Sequence, residues 1–212
     1  MNRINYLNYC LVKRIIEVIF SILIFIGTIP LIIFISLLIK LSSRGPIFYR
    51  QKRLGKNLKL FNCLKFRTMN LEADDMLENL LSSNEEIRLE FKRSQKIKND
   101  PRVTKIGKFL RKTSLDELPQ FINIIRNEMS LIGPRPIVEN EKKRYGKDLE
   151  EVFSVRPGIT GLWQVSGRNK LSYKRRIMLD LIYVRNKNIS MDINILIRTI
   201  GVILFPFDSG GF

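Results

Sequence analysis

The longest apolar stretch of the chain runs from Val18 to Ile39 without a charged residue. As a helix it would be about 33 Å long at ~1.5 Å per residue, close to the ~30 Å hydrocarbon core of a bilayer. It is too long for the core of a signal peptide, and no small-x-small cleavage site follows it, so it is expected to stay in the membrane. Lys13 and Arg14 precede it, Lys40 and Arg44 follow it, and cations at both ends favour the cytoplasmic side for both. Gly27 and Pro30 sit near its middle, where a helix bends. Charge and proline leave a straight span and a bent hairpin both open; the re-entrant form, broken at Pro30, is the expectation.

After Arg44-Gly45-Pro46 the pattern shortens. Ile47–Arg53 and Leu58–Phe66 flank Gly55-Lys56-Asn57, and Leu58, Leu60, Leu64 and Phe66 alternate with mostly polar residues, which predicts a β-hairpin. The hairpin is dense in cations, with Arg50, Lys52, Arg53, Lys56, Lys59, Lys65 and Arg67. Beside a membrane such a run meets anionic headgroups. From Leu71 to about Lys98 the chain is charged and helical in character, and Asn99-Asp100-Pro101 is a turn. Val103, Ile106, Phe109 and Leu110 then recur at helical spacing with cations between them, as in a basic amphipathic helix at a bilayer surface. Leu118, Phe121, Ile122 and Ile125 continue an apolar face that ends at Gly133-Pro134-Arg135-Pro136, and Glu139 to Tyr145 is another charged helix. Arg156 to Arg168 is a glycine-punctuated loop with neither phosphate-loop nor dinucleotide spacing, and Trp163 within it is expected in the core. Asp180 falls in a helical stretch after Tyr173, and the mostly apolar run from Asp192 to Phe205 is interfacial or packs on the membrane helix. The expected fold is mainly α with a small β-hairpin. It is a monotopic membrane protein with an N-terminal re-entrant membrane helix (1–44) and a membrane-associated cytoplasmic domain (45–212) bearing surface amphipathic helices.

Charge narrows the partners. With 37 Lys and Arg against 20 Asp and Glu, the net charge of +17 calls for an acidic partner: nucleic acid, anionic lipid or a phosphorylated substrate. Nothing resembles a helix-turn-helix or an aromatic RNA-binding sheet, so no nucleic acid is expected, and a membrane-tethered nucleic-acid binder stands only as a competing reading. An inactive membrane scaffold is the other. The absence of histidine removes His-based general base chemistry and His-ligated zinc, and two cysteines, Cys10 and Cys63, make neither a disulfide framework nor a Cys₄ site.

The candidate chemistry lies in Arg111 to Gln120. Asp116 and Glu117 stand side by side, with Lys105, Lys108, Arg111 and Lys112 before them and Arg126 and Arg135 after them. Adjacent acids in a basic setting can hold a hard cation such as Mg²⁺, or one can act as nucleophile while the other organises charge. The spacing has a structural use too. Ser114 and Glu117 form the S-x-x-E of a capping box, and with Asp116 as N-cap instead, Pro119 would fall in a tolerated first-turn position. Spacing alone leaves these uses open.

Several separated stretches agree with one family. They are Gly45-Pro-Ile-Phe48, Lys65-Phe-Arg-Thr-Met69, Asp100-Pro-Arg-Val-Thr104, Leu110 to Gln120, Met129 to Pro136, Pro157-Gly-Ile-Thr-Gly161 and Gln164-Val-Ser-Gly-Arg-Asn169. In this order, over almost the whole chain, they resemble the bacterial sugar transferases, monotopic phosphoglycosyl transferases that act on polyprenyl phosphate. Where the family usually has Lys-Arg-x-x-Asp before the membrane helix, this chain has Glu17. It looks like a minimal catalytic form without the large N-terminal membrane region of longer relatives. The resemblance implies that a UDP-sugar gives its sugar 1-phosphate to undecaprenyl phosphate and releases UMP. That is the initiating step of a surface glycan such as an exopolysaccharide, capsule or O-antigen, at the cytoplasmic face of a bacterial inner membrane. It further implies ping-pong chemistry with Mg²⁺, Asp116 as nucleophile and Glu117 as the carboxylate at the metal. Arg111, Arg135 and Arg168 match positions that could neutralise the phosphates. Asp180, in a recurring Leu-Asp motif, and Lys65 and Arg67 form a second tier. The intact acidic pair argues against the scaffold.

Overall fold

The computed structural model describes residues 3–94, Ile97 and 99–204. It is mainly helical with a small antiparallel hairpin, as expected. The expected ends at Lys98 and Phe205 lie outside the described residues.

Two helices open the chain: α1 (Arg3–Gly27) and α2 (Ile29–Ser42). They break at Thr28 and bend by 59°, with Pro30 in the first turn of α2, where a missing N–H costs nothing. No single described helix is long and apolar enough to cross a membrane. The helix begins well before Val18, and its polar residues explain why. Tyr9, Lys13, Glu17 and Ser21 recur every four residues and so share one face, which is turned inward. Leu11, Ile15, Ile16, Ile19, Leu23 and Ile26 cover the other face and are exposed. The helix is amphipathic in the reverse of the usual sense. Lys13 and Arg14, expected as membrane-flanking cations, dock into the domain instead, Arg14 donating to the carbonyl of Ile124 at 2.6 Å.

The hairpin pairs β1 (Phe48–Leu54) with β2 (Leu60–Phe66) in the register Tyr49 opposite Lys65 and Arg53 opposite Phe61. Its strands are less regular than the alternation of leucines implies: Leu60 is exposed, while Phe61 and Cys63 are buried on the opposite face from Leu64 and Phe66. The expected long helix after Leu71 is two, α3 (Ala73–Ser83) and α4 (Glu85–Ser94), parted at Asn84, whose backbone is extended. Then come α5 (Lys105–Thr113), α6 (Gln120–Ile125), β3 (Ser130–Ile132), α7 (Lys142–Tyr145), α8 (Leu149–Val152), β4 (Gly158–Thr160), α9 (Tyr173–Asn186) and α10 (Ile189–Leu204). The glycine-punctuated loop contains a feature that its spacing hid: β4 pairs in parallel with β3. Glycine allows this, since a Cβ on Gly158 would lie 2.1 Å from the nitrogen of Gly133.

Among the described residues, three clusters form the core. Phe61, Cys63, Ile124, Met129 and Tyr183 hold the hairpin to α6, β3 and α9. Leu54, Tyr145, Val152, Phe153 and Ile177 close the far end. Ile35 and Ile39 of α2 pack with Phe66 and Leu110, which ties the second membrane-candidate helix to the hairpin and α5. Asn123, fully buried in an otherwise apolar run, completes the edge of β2. Its side-chain oxygen accepts from the Leu64 N–H at 2.9 Å, and its amide donates to the Asn62 carbonyl at 2.8 Å.

Candidate active site

The acidic pair is displayed by a single tight turn. Residues Leu115–Glu117 form a 3-10 turn, entered through Ser114 in the left-handed conformation at φ 58°. With three residues per turn, Leu115 and Leu118 fall on one side, where they pack on Phe66 and Leu110. Asp116 and Glu117 are left on the other. The capping uses are not realised. Ser114 closes α5 and stands before the 3-10 turn, but its side chain makes no capping hydrogen bond, and α6 begins at Gln120 after Pro119.

Lys65, next to last on β2, meets both acids. Its Nζ lies 2.6 Å from Oε1 of Glu117 and 3.7 Å from Oδ2 of Asp116. The two carboxyls are driven apart electrically. Burial pushes the Asp116 carboxyl up, and neighbouring Glu117 adds to this against the pull of Lys65 and Arg111. Burial also works against charge on Glu117, but Lys65 and Arg135, with hydrogen bonds from Lys65 and Gln120, hold it below the usual range. Glu117 is therefore the settled anion and Asp116 the more basic carboxylate.

Cations converge from three elements. On α5, Arg111 donates through Nε to the Thr68 hydroxyl at 2.9 Å and favours the charged form of Asp116. The N-terminus of α5 rests on the Thr68 backbone. The Thr104 N–H donates to the Thr68 carbonyl at 3.0 Å, and a Cβ on Gly107 would come within 2.0 Å of that same oxygen. Arg135, held between Pro134 and Pro136 after β3, acts on Glu117 from the opposite side. Arg168, in a left-handed conformation at φ 48° after Gly167, also feels Glu117. Lys65, Glu117, Arg135, Gln164, Arg53 and Cys63 line an open cleft of about 280 Å³. Asp116, 3.7 Å from the Lys65 ammonium and under the influence of Arg111, is outside its lining.

The fold thus brings together Lys65, Arg111, Asp116, Glu117, Arg135 and Arg168. Arg67 serves elsewhere: buried, it donates to the Ser43 and Arg44 carbonyls, each at 2.8 Å, and clamps the end of α2. Asp180 is buried behind the cleft. Pro30 lies at the break of the helix pair. Sequence reasoning missed Thr68, Gln120, Asn123 and Gln164. Thr68, Gln120 and Gln164 lie inside the stretches that carry the family resemblance, and Asn123 left a signal of its own, a polar residue between Ile122 and Ile124.

The pair suits a hard divalent cation. Two carboxylates with oxygen donors are what Mg²⁺ takes from a protein when substrate phosphates and water supply the remainder. Among the described residues no further group of acids, cysteines or histidines joins them into a protein-only cage.

Residues 8–206 match the bacterial sugar transferase family. The exopolysaccharide production protein ExoY of Sinorhizobium fredii is 46% identical over 188 residues, 89% of this chain and 83% of that protein. The undecaprenyl-phosphate galactose phosphotransferase of Salmonella typhimurium is 44% identical over 192 residues, 91% of this chain and 40% of that protein. An uncharacterized sugar transferase of Haemophilus influenzae is 44% identical over 203 residues, 96% of this chain and 43% of the relative. The chain thus spans less than half the length of the Salmonella and Haemophilus relatives. With the match running almost end to end and the motif residues gathered in one site, the chain belongs to the bacterial sugar transferase family.

Proposed function

We propose that this chain transfers a sugar 1-phosphate from a UDP-sugar to undecaprenyl phosphate and so begins a surface glycan such as an exopolysaccharide. The observation that carries this reading is the Asp116–Glu117 pair bridged by Lys65, with Lys65 and Glu117 lining a cleft beside Arg53 and Arg135. The names of the relatives support the substrate classes: one is an undecaprenyl-phosphate galactose phosphotransferase, another an exopolysaccharide production protein.

The geometry supports two displacements at one carboxylate. An oxygen of Asp116 attacks the β-phosphorus, the bond from phosphorus to the UMP oxygen breaks, and UMP leaves with the electron pair. An oxygen of the lipid phosphate then attacks the same phosphorus. The aspartyl–phosphorus bond breaks, which restores the carboxylate and leaves a diphosphate-linked sugar on the lipid. No histidine is needed, because both attacking groups are anions. Their cost is like-charge repulsion, which Arg111 relieves beside Asp116, and Arg135 and Arg168 beside Glu117. The raised basicity of Asp116 suits a nucleophile, and the settled charge of Glu117 suits a cation ligand. Mg²⁺, held by Glu117 and Asp116, would supply Lewis-acid neutralisation of the diphosphate.

The membrane reading is re-entrant. Both ends of the bent helix pair are fastened to one domain: Lys13 and Arg14 bind Asp192 and the Ile124 carbonyl, and Arg67 clamps Ser43 and Arg44. A straight span would separate those ends by a bilayer. The exposed apolar faces of α1 and α10 and the exposed Lys105, Lys108, Phe109 and Lys112 of α5 suit acyl chains and anionic headgroups of the cytoplasmic leaflet.

The test is UMP release from a panel of UDP-sugars by the full chain in lipid nanodiscs, with and without undecaprenyl phosphate. Sustained turnover with one or more sugars only when the lipid is present, lost in Asp116→Asn, is the expected result. No UMP release from any UDP-sugar, or equal turnover by Asp116→Asn, contradicts the proposal.

A further inference from the structure

Asp180 is 1% exposed, and neither carboxyl oxygen has a hydrogen-bond partner among the described residues. Burial drives its carboxyl well above the usual range, and Arg135 is the cation that pulls the other way. Its other neighbours are committed. Tyr145 of α7 is buried beside it. Arg176, one turn earlier on α9, stacks on the Trp163 ring at 4.8 Å and donates to the Leu171 carbonyl at 3.2 Å. Tyr173 donates to Glu141 at 3.2 Å. A buried polar group without a partner costs stability, so a carboxyl kept in this state needs a reason other than packing.

Arg135 supplies one. It lines the cleft with Glu117, and its charge favours the ionised form of both Glu117 and the buried Asp180. A guanidinium has five N–H groups in a rigid fork, enough to face both ways at once. We propose that Asp180 is the positioning residue of Arg135. In the donor-loaded site its carboxyl accepts an N–H from the back of the guanidinium and aims the remaining N–H groups at the diphosphate oxygens. This rests on the reading that Arg135 contacts the donor diphosphate.

The test compares Asp180→Leu, Asp180→Asn, Arg135→Met and the Asp180→Leu/Arg135→Met double variant as full chains in nanodiscs. Donor KM, lipid KM, kcat and Tm are read for each. Asp180→Leu should raise the donor KM about tenfold, leave the lipid KM within about twofold, and leave Tm unchanged or higher, since an apolar side chain removes the orphaned carboxyl. Asp180→Asn keeps an acceptor oxygen and should stay within about threefold of the wild type in donor KM. On the Arg135→Met background, Asp180→Leu should add nothing. A donor KM unmoved by Asp180→Leu, a fall in Tm with equal loss toward both substrates, or additive losses in the double variant overturns the proposal. Should Asp180→Leu fail to fold, Asp180→Ala carries the same readouts. A silent Arg135→Met overturns the assignment of Arg135 to the diphosphate and this pairing with it, whereas a costly Arg135→Met with a silent Asp180→Leu overturns the pairing alone.

Discussion

Replacing Lys13 by Met tests whether the first helix is docked by its polar face. The Lys13 ammonium lies 2.9 Å from Oδ2 of Asp192, 2.7 Å from the Tyr183 hydroxyl and 3.0 Å from the Ile132 carbonyl. Its side chain is 15% exposed and that of Asp192 11%, so the pair is largely withdrawn from water. Breaking a buried pair by deleting one partner costs about 3–5 kcal/mol, because the other charge is left uncompensated. Here Tyr9 and Tyr183 still donate to Asp192, at 2.7 and 2.8 Å, which places the loss near the lower end, about 3 kcal/mol. For a chain of this size, at roughly 2–4 °C per kcal/mol, Tm should fall by about 6–12 °C. The Lys13→Met/Asp192→Asn double variant should recover a large part of that loss, since Asp192 is then no longer a stranded charge and Glu17, 3.7 Å from the lost ammonium, still accepts from Ser130 and Leu131. The assay is thermal unfolding in one detergent or nanodisc at a fixed scan rate. A Lys13→Met protein that melts within about 2 °C of the wild type would refute the reasoning and return Lys13 to the role of a solvated flanking cation.

Three further outcomes follow from particular contacts. Single cysteines at positions 3 and 44, in a background without Cys10 and Cys63, should both label from the cytoplasmic side of inverted vesicles; labelling from opposite sides contradicts the re-entrant pair. Gly107→Ala forces a Cβ against the Thr68 carbonyl and should cost about 1–3 kcal/mol while lowering kcat through the Thr68–Arg111 contact, so an unchanged Tm and kcat would show that α5 can shift freely. Folding raises the Asp180 carboxyl above its unfolded value of about 3.9, so its stabilising protonated state is lost as pH rises through the raised folded value. The Tm of the wild type relative to Asp180→Asn should therefore fall as pH rises above about 4, and a difference that stays constant as pH rises would contradict the burial argument.

The sequence made the hairpin, the apolar break at Pro30 and the acidic pair legible for a physical reason. Each depends on local chemistry: turn residues, an uncharged run with a proline, or adjacent charges. What stayed hidden depends on distant neighbours. The start of α1 reads as polar chain until the domain that receives Tyr9, Lys13 and Glu17 is present. Glu17, the departure from the family pattern, proves well placed, with Oε1 accepting from the Ser130 hydroxyl at 2.5 Å and the Leu131 N–H at 3.0 Å. The parallel pairing of β3 with β4 joins segments far apart in sequence, and three-residue strands give no alternation to read. Arg67 stood in the second tier of site residues because charge does not reveal direction; its guanidinium turns toward Ser43 and Arg44. At the acids, the S-x-x-E spacing suggested a cap, but the left-handed Ser114 ends α5 and enters the 3-10 turn without a side-chain capping hydrogen bond.

The central claim is that Asp116 carries the phosphosugar between two half-reactions. The most direct measurement is to incubate the full chain with a UDP-sugar labelled in both phosphate and sugar, in the absence of undecaprenyl phosphate, and to map the label by peptide mass spectrometry. The account predicts label from both sites on Asp116, one UMP released for each labelled chain, and discharge of the label onto undecaprenyl phosphate when the lipid is added. Asp116→Asn should take up none. UMP that appears only when donor and lipid are both present, with no label on Asp116 at any time, would mean direct transfer between the two substrates and would contradict the account.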